Sequence, residues 1–245
     1  MFQSLSGKKV IIIGASSGID LAIATKTFEM GASVVVSGPS QDKLRQLKDL
    51  VSFDLEAIDV DILNEASIDA LFEKVGNFDH LVVTAVPDRN MQRSLLAEMT
   101  TQIAQSGMEK FWATFYAVRA AVKNIATDGS ITLTSSVSIS KPSKMGGISV
   151  IAAANAAVAV FGRTLALELS PIRVNAIAPG IVEDTSVLTY QSESEQADLS
   201  KWAEASLPVQ HLGQPEELAQ AVLSLMTNPY ITGVILPVDG GVTLL

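Results

Sequence analysis

The chain has 245 residues, enough for one α/β domain with a large core, and its 48% hydrophobic and 18% charged residues exclude a disordered chain. A formal net charge of −9, from 17 basic and 26 acidic residues with no long basic run, argues against a nucleic-acid partner. Cysteine is absent, which excludes a disulfide framework and thiol chemistry and permits a cytoplasmic location. Residues 1–7 lack the apolar run of a signal peptide. The apolar run from Val150 to Phe161 is broken by Asn155 and is too short for a bilayer, so no membrane partner is expected.

In chain order, the first element is a run of four β-branched residues, Val10 to Ile13, which predicts a strand buried on both faces. Gly14 breaks it, and Gly18 lets the backbone turn into a helix from Ile19 to about Met30. Strand, glycine turn and helix N-terminus together make an anion site, because the first amides and the helix dipole both favour negative charge. Ser16 and Ser17 stand in that turn, as phosphate ligands or as plain helix caps. Ser33 to Ser37 reads as a second strand, Gln41 to Leu50 as an amphipathic helix and Leu55 to Ile58 as a third strand. Asn64 is placed to cap a helix running to about Val75. His80 to Thr84 is a fourth strand, and residues 88–107 read as polar and less regular.

A long helix is expected from Met108 to Ile125, with Phe111, Phe115, Val118 and Val122 as its apolar face. Gly129 opens a fifth strand to Ser135, and a polar loop leads to a helix from about Ser149 to Leu169. Ile172 to Ile177 is a sixth strand ended by Pro179-Gly180. Residues 182–208 carry no sheet signal and read as a lid, Pro215 starts a last helix, and Val234 to Leu236 is a final strand. Strands alternating with helices predict one doubly wound Rossmann-type α/β domain over residues 1–245, with about seven parallel strands and helices on both faces. A ligand then sits at the carboxyl ends of the strands, where Gly14, Ser37, Ser40, Asp59, Val60, Thr84, Ala85, Pro179, Gly180 and Val182 gather.

At this point the chain resembles the short-chain dehydrogenase/reductase family, over nearly its whole length. Gly14-x-x-x-Gly18-Ile19 resembles the family's glycine motif, and Ile58 to Asp61 the segment that meets adenine. Arg163 to Gly180 is similar to its helix-to-strand passage, and Ile231 to Gly233 with Val238 to Gly241 to its C-terminal signature. The resemblance implies a nicotinamide cofactor, a small-molecule alcohol or carbonyl substrate, and self-association as a dimer or tetramer. No acidic residue follows the second strand; Gly38, Pro39 and Ser40 stand there with Lys43 nearby, which favours NADP(H) over NAD(H).

The departures fall on the chemistry. The family's catalytic tyrosine becomes Ile151 and its lysine Asn155; its further catalytic asparagine falls near Lys110. Isoleucine has no proton to give, and asparagine brings a hydrogen bond without charge. The catalytic serine has two candidates, Ser136 by local register and Ser138 by spacing from Ile151. The motif's third glycine becomes Asp20, whose carboxylate would repel a pyrophosphate, and the turn after the fourth strand reads Val83-Thr84-Ala85-Val86. Lys110 is either a solvated surface lysine or a replacement acid–base group desolvated by Phe111 and Trp112; Asn155 is either a ribose contact or a core amide. Arg119 is expected to pair with acids on the surface or at a subunit contact, and Tyr190 either packs against the lid helix or swings from the lid into the site. His80 and His211 are isolated and show no metal-ligand spacing.

Such a protein is either an oxidoreductase with a non-standard active site or a relative that kept the fold as a cofactor-binding regulator or non-redox enzyme.

Overall fold

A computed structural model of the chain describes residues 4–14, 18–84, 95–144, 147–183 and 192–245. The first strand, β1 (Lys9–Ile13), has Val10 through Ile13 at no more than 1% exposure. Side chains alternate across a strand, so Val10 and Ile12 enter one hydrophobic layer and Ile11 and Ile13 the other. A continuous β-branched run is what a strand covered on both faces needs.

Beside β1 lie β2 (Ser33–Gly38) and β3 (Glu56–Asp59) on one side. On the other side lie β4 (Phe78–Val83), β5 (Ile125–Thr134), β6 (Arg173–Pro179) and β7 (Ile235–Val238). The order is β3-β2-β1-β4-β5-β6-β7, and every pair is parallel. The expected doubly wound Rossmann-type sheet is therefore present with seven strands.

Helices cover both faces. α1 (Gly18–Glu29), α2 (Gln41–Leu50) and a late helix, residues Pro215–Thr227, share one layer through Ile23, Leu44 and Leu218. α3 (Glu65–Val75), α4 (Thr101–Gly107), α5 (Glu109–Ala121) and α6 (Ile148–Glu168) lie toward the other. α7 (Glu193–Ser206) belongs to a small third cluster of Ala203, Leu207, Leu212 and Val242, and the Pro215–Thr227 helix is α8. Asn64 caps α3 as expected, its side chain accepting from the amides of Ala66 and Ser67.

Several boundaries differ from the sequence reading. Residues 88–107 are not uniformly irregular: the described part holds a short 3-10 turn at Leu96–Glu98 and α4, capped by Thr100. β5 begins at Ile125 rather than at Gly129, and α5 stops at Ala121. A register irregularity between Phe78 and His80 lets the strand pass Asp128-Gly129, and a Cβ at Gly129 would come within 2.2 Å of the Asp79 carbonyl. The buried face of α5 is Ala113, Thr114, Ala117, Val118, Ala120 and Ala121; of the expected stripe Val118 belongs to it, and Phe111 and Val122 pack partly buried against the same core. Small side chains let α5 approach the sheet, while Phe111 and Phe115 stack toward Phe161 of α6. α6 is longer than the Val150–Phe161 run and by length and composition could cross a membrane; here it packs on β5, β6 and α5, as a core helix does.

Candidate active site

All strands point the same way, so their carboxyl ends meet at one edge, and the order reverses between β1 and β4. That is the crevice where an open parallel sheet takes its ligand. Gly14 ends β1 there, and Thr84 ends β4 opposite it. The Thr84 hydroxyl lies within hydrogen-bond reach of the Ile13 carbonyl and of the Asp20 carboxylate in the first turn of α1. A Cβ at Gly14 would stand 1.9 Å from that hydroxyl, so the glycine is required by close approach. Asp20 is 1% exposed, and the expectation of a carboxylate lying open to a pyrophosphate gives way to one buried against Thr84. Gly18 and Ile19 open α1. Ser16, Ser17, Ala85 and Tyr190 lie outside the described residues, as does the Lys43 side chain.

The β2–β3 corner follows. Gly14 N–H donates to the Ser37 carbonyl at 2.8 Å, and the Ser37 side chain is fully buried, its hydroxyl without a hydrogen bond among the described residues. Ser40 precedes α2, its carbonyl accepting from the Leu44 amide. Asp59 ends β3 with an exposed side chain that accepts from Gln41 Nε2 at 3.1 Å, and the Val60 N–H is committed to the Gly38 carbonyl. On the far side, Pro179 ends β6, and Gly180 N–H donates to the Val238 carbonyl. A Cβ at Gly180 would meet the Asp239 backbone at 2.8 Å. Val182 is buried and bridges in parallel to Gly213. Burial would raise the Asp239 carboxyl, but hydrogen bonds from the Thr243 side chain and the Gly241 and Thr243 amides hold it below its ordinary range.

The junction of β5, α5 and α6 carries the polar chemistry. Lys110, in the first turn of α5, sends its Nζ to Asn155 Oδ1 at 2.6 Å and to the Ser135 carbonyl at 3.3 Å. Asn155 Nδ2 donates to the Ile151 carbonyl one helical turn back, and the Ser135 hydroxyl donates to the Asn155 carbonyl. Sequence reasoning places Ser135 in the loop from Ser135 to Ser140 at the carboxyl edge but gives it no role of its own; its neighbours in a serine run masked it, and only its burial against α6 sets it apart. The reading of Lys110 as a solvated lysine is corrected. The residue is part-buried, its ammonium lies deep, and burial pushes it down to about 8. Asn155 and Ser135 hold the ammonium by hydrogen bonds, while Trp112 is 47% exposed.

The two serine candidates differ. Ser136 accepts from the Ser138 amide and caps the 3-10 turn at Val137–Ile139. The Ser138 hydroxyl is buried and makes no hydrogen bond among the described residues. Arg119 pairs with Glu65 at 3.1 Å, as expected of a surface arginine. His80 is buried with Nδ1 2.9 Å from the Ser130 hydroxyl, and His211 lies 3.9 Å from Glu217. Among the described residues no cluster of three potential metal ligands occurs.

A parallel sheet with a glycine turn at β1, an acidic residue ending β3 and a polar cluster at β5 defines a Rossmann-type nucleotide-binding protein. The sequence family described as enoyl-(acyl carrier protein) reductase matches residues 14–243. A short-chain dehydrogenase/reductase, ATR9 of Stachybotrys chlorohalonatus, is 33% identical, covering 98% of this chain and 99% of that protein. A small-chain dehydrogenase solved in complex with NADPH is 30% identical, with a TM-score of 0.81 over 97% of this chain and 99% of that one. The NADPH-bound short chain oxidoreductase of Pseudomonas aeruginosa PAO1, which contains an atypical catalytic center, is 28% identical, with a TM-score of 0.85 over 98% of both. The chain belongs to the short-chain dehydrogenase/reductase family, a family of oxidoreductases.

Proposed function

We propose that the chain is an NADP(H)-dependent oxidoreductase acting on an alcohol or carbonyl group, with Lys110, Asn155 and a serine from Ser136 or Ser138 in place of the usual tyrosine and lysine. The observation that carries this reading is the Lys110–Asn155 contact at the carboxyl edge of the sheet, together with a buried Ser138 hydroxyl that has no partner among the described residues. A polar atom buried with no bond is costly unless a ligand completes it. Of the two serines, Ser138 is favoured, since Ser136 is spent on a cap.

The residues present fit a dinucleotide. Gly14, Gly18 and Ile19, with Ser16 and Ser17, take the pyrophosphate at the N-terminus of α1; Asp59 and Val60 face the adenine end; Thr84 and Ala85 line the ribose; Pro179, Gly180 and Val182 border the nicotinamide. Asn155, buried with both amide atoms bonded, stands behind them as a core amide rather than as a ribose contact. Ser37 and Ser40 flank a β2 end that carries no acid, which favours NADP(H) over NAD(H). The bound cofactor supplies or takes a hydride at its nicotinamide ring. The chain contributes position and a proton route. We take residues 1–245 as one such domain, with 182–208 as the substrate lid, working in the cytoplasm as a homo-oligomer.

The test is oxidation of NADPH followed by absorbance over a panel of ketones and aldehydes, with the alcohols and NADP⁺ for the reverse direction. Turnover with at least one is expected, and tight cofactor binding with none turned over would overturn the reading. A second reading, a cofactor-binding regulator or non-redox enzyme, is favoured by one feature, the proton-free Ile151 at the tyrosine position. It predicts that Ile151→Tyr with Asn155→Lys creates reductase activity where the natural chain has none.

A further inference from the structure

Asn155 and Lys110 stand where the family resemblance places a lysine and an asparagine, one on α6 and the other on α5. The two residue types are exchanged between facing helices, and in the fold they touch. The exchange keeps an ammonium at the junction of β5, α5 and α6 while reversing the helix that delivers it.

Resting on the oxidoreductase reading, we propose that Lys110 is the catalytic proton donor of this site and that Asn155 is the residue that positions it. An ammonium has three N–H donors. Two are committed, to Asn155 Oδ1 and to the Ser135 carbonyl, and the third has no acceptor among the described residues. The asparagine side chain is held in turn, because its Nδ2 donates to the Ile151 carbonyl one helical turn back, while its backbone carbonyl accepts from the Ser135 hydroxyl and ties α6 to the end of β5. A fixed amide oxygen thus holds a lysine head whose remaining hydrogen is left for a substrate oxygen. Ile151, at the usual donor's position, has no hydrogen to transfer.

The step balances as follows. The carbonyl carbon of the substrate accepts a hydride, the π pair of the C=O bond moves onto oxygen, and one Nζ–H bond breaks to give that oxygen its proton. The substrate is reduced to an alcohol, the nicotinamide is oxidised, and Lys110 is left as a neutral amine that regains a proton from solvent. Its neighbours across the junction, the Asn155 amide and the Ser135 carbonyl, are uncharged, and burial is the cause of its lowered pKa. Burial pushes the group down to about 8, and a general acid is most effective where its pKa lies near the pH at which it works.

The experiment uses the full chain in five forms: the natural sequence, Lys110→Met, Lys110→Arg, Asn155→Leu and the exchange Lys110→Asn with Asn155→Lys. Carbonyl reduction and NADPH affinity by fluorescence titration are measured for each, and the midpoint of the Lys110 side-chain signal by NMR in the cofactor-free protein for the natural sequence and Asn155→Leu, the two forms that keep the lysine. Lys110→Met is expected to lose about 100-fold or more in kcat, the scale of general-acid catalysis, with NADPH affinity changed less than about threefold. Lys110→Arg keeps charge and donors but does not release a proton at these pH values, and is expected to be as slow. The natural protein should lose reductase activity as pH rises through about 8, matching the NMR midpoint. In Asn155→Leu that midpoint falls, since the ammonium loses an acceptor, and kcat falls with it. The exchange is expected to recover more activity than either change at Lys110 alone. If the natural chain turns over a carbonyl and Lys110→Met or Lys110→Arg is equally fast, or the midpoint stays above about 10, the proposal is overturned while the oxidoreductase reading stands. A natural chain inert toward every substrate overturns both.

Discussion

The Thr84 hydroxyl at the end of β4 meets the Asp20 carboxylate in the first turn of α1, and the two are 64 positions apart in the chain. The contact closes the switch point of the sheet from within, because Gly14 leaves room for it and any larger residue would strike the hydroxyl. It also puts a buried carboxylate close behind the helix terminus proposed for the pyrophosphate. Asp20→Asn keeps an acceptor for Thr84 and removes the charge. NADPH affinity is expected to rise by about fivefold, corresponding to about 1 kcal/mol of relieved repulsion in partly screened surroundings. Calorimetry on the two proteins at low salt checks it, and equal affinities would show that the carboxylate is already neutralised in the fold. Thr84→Val, which removes the donor, should lower unfolding stability by about 1–2 kcal/mol.

His80 gives the protein an acid-sensitive point far from that edge, near the amino ends of the strands. Burial pushes its imidazole down to about 4; Asp79 and Asp128 oppose the shift, while Arg173 and Lys8 add to it. In the unfolded chain the same group titrates near 6.5. Between these two values the unfolded chain binds more protons, so stability is complete above about 6.5 and is lost as pH falls toward 4. The total is about 3 kcal/mol. Urea unfolding across this window is expected to show that slope in the natural protein and a much flatter one in His80→Gln.

The serines separate by the same kind of measurement. Ser138→Ala removes a buried hydroxyl that bonds to nothing, so stability is expected to stay within about 0.5 kcal/mol or to rise. Under the proposed function its turnover falls. Ser136→Ala removes the side-chain cap on the 3-10 turn, at a cost of about 1 kcal/mol by analogy with helix caps, with turnover little changed. Thermal unfolding paired with NADPH oxidation checks both. The opposite pattern would make Ser136 the functional serine.

What the sequence made legible were features fixed by neighbours in the chain. Val10 to Ile13 announce a doubly covered strand by composition alone, Asn64 announces a cap, and Gly14 and Gly18 mark the turn into α1. Contacts between distant segments were not legible. Asp128-Gly129 looks like the turn before a strand, yet the strand runs through it, because the Asp79 carbonyl leaves no space for a side chain there. The partners of the Lys110 ammonium are Asn155, 45 positions away, and Ser135 just past the end of β5, and neither lies within its helical repeat. The same holds for Asp20, which local reading set beside the pyrophosphate and the fold sets against Thr84.

Self-association is the last expectation, and α6 is where it is tested. Its inward face is Ala154, Asn155, Val158, Ala159, Gly162, Leu165 and Ala166. The outward face should then be polar, yet Val160 is 61% and Leu167 84% exposed, and Trp112 on neighbouring α5 is 47% exposed. The aromatic group of Phe111, Trp112, Phe115, Tyr116 and Phe161 extends this surface across the α5–α6 groove. Exposed apolar area of this extent favours an interface, and the small residues of α6 permit close approach across a two-fold axis. Val160→Asp combined with Leu167→Lys places charge on that face without touching the Lys110 junction. Light scattering at micromolar concentration should give a dimer or tetramer mass for the natural protein and a mass near 25.9 kDa for the variant. A natural protein already at that mass would refute the interface, and an assembled variant would place the contact on another face.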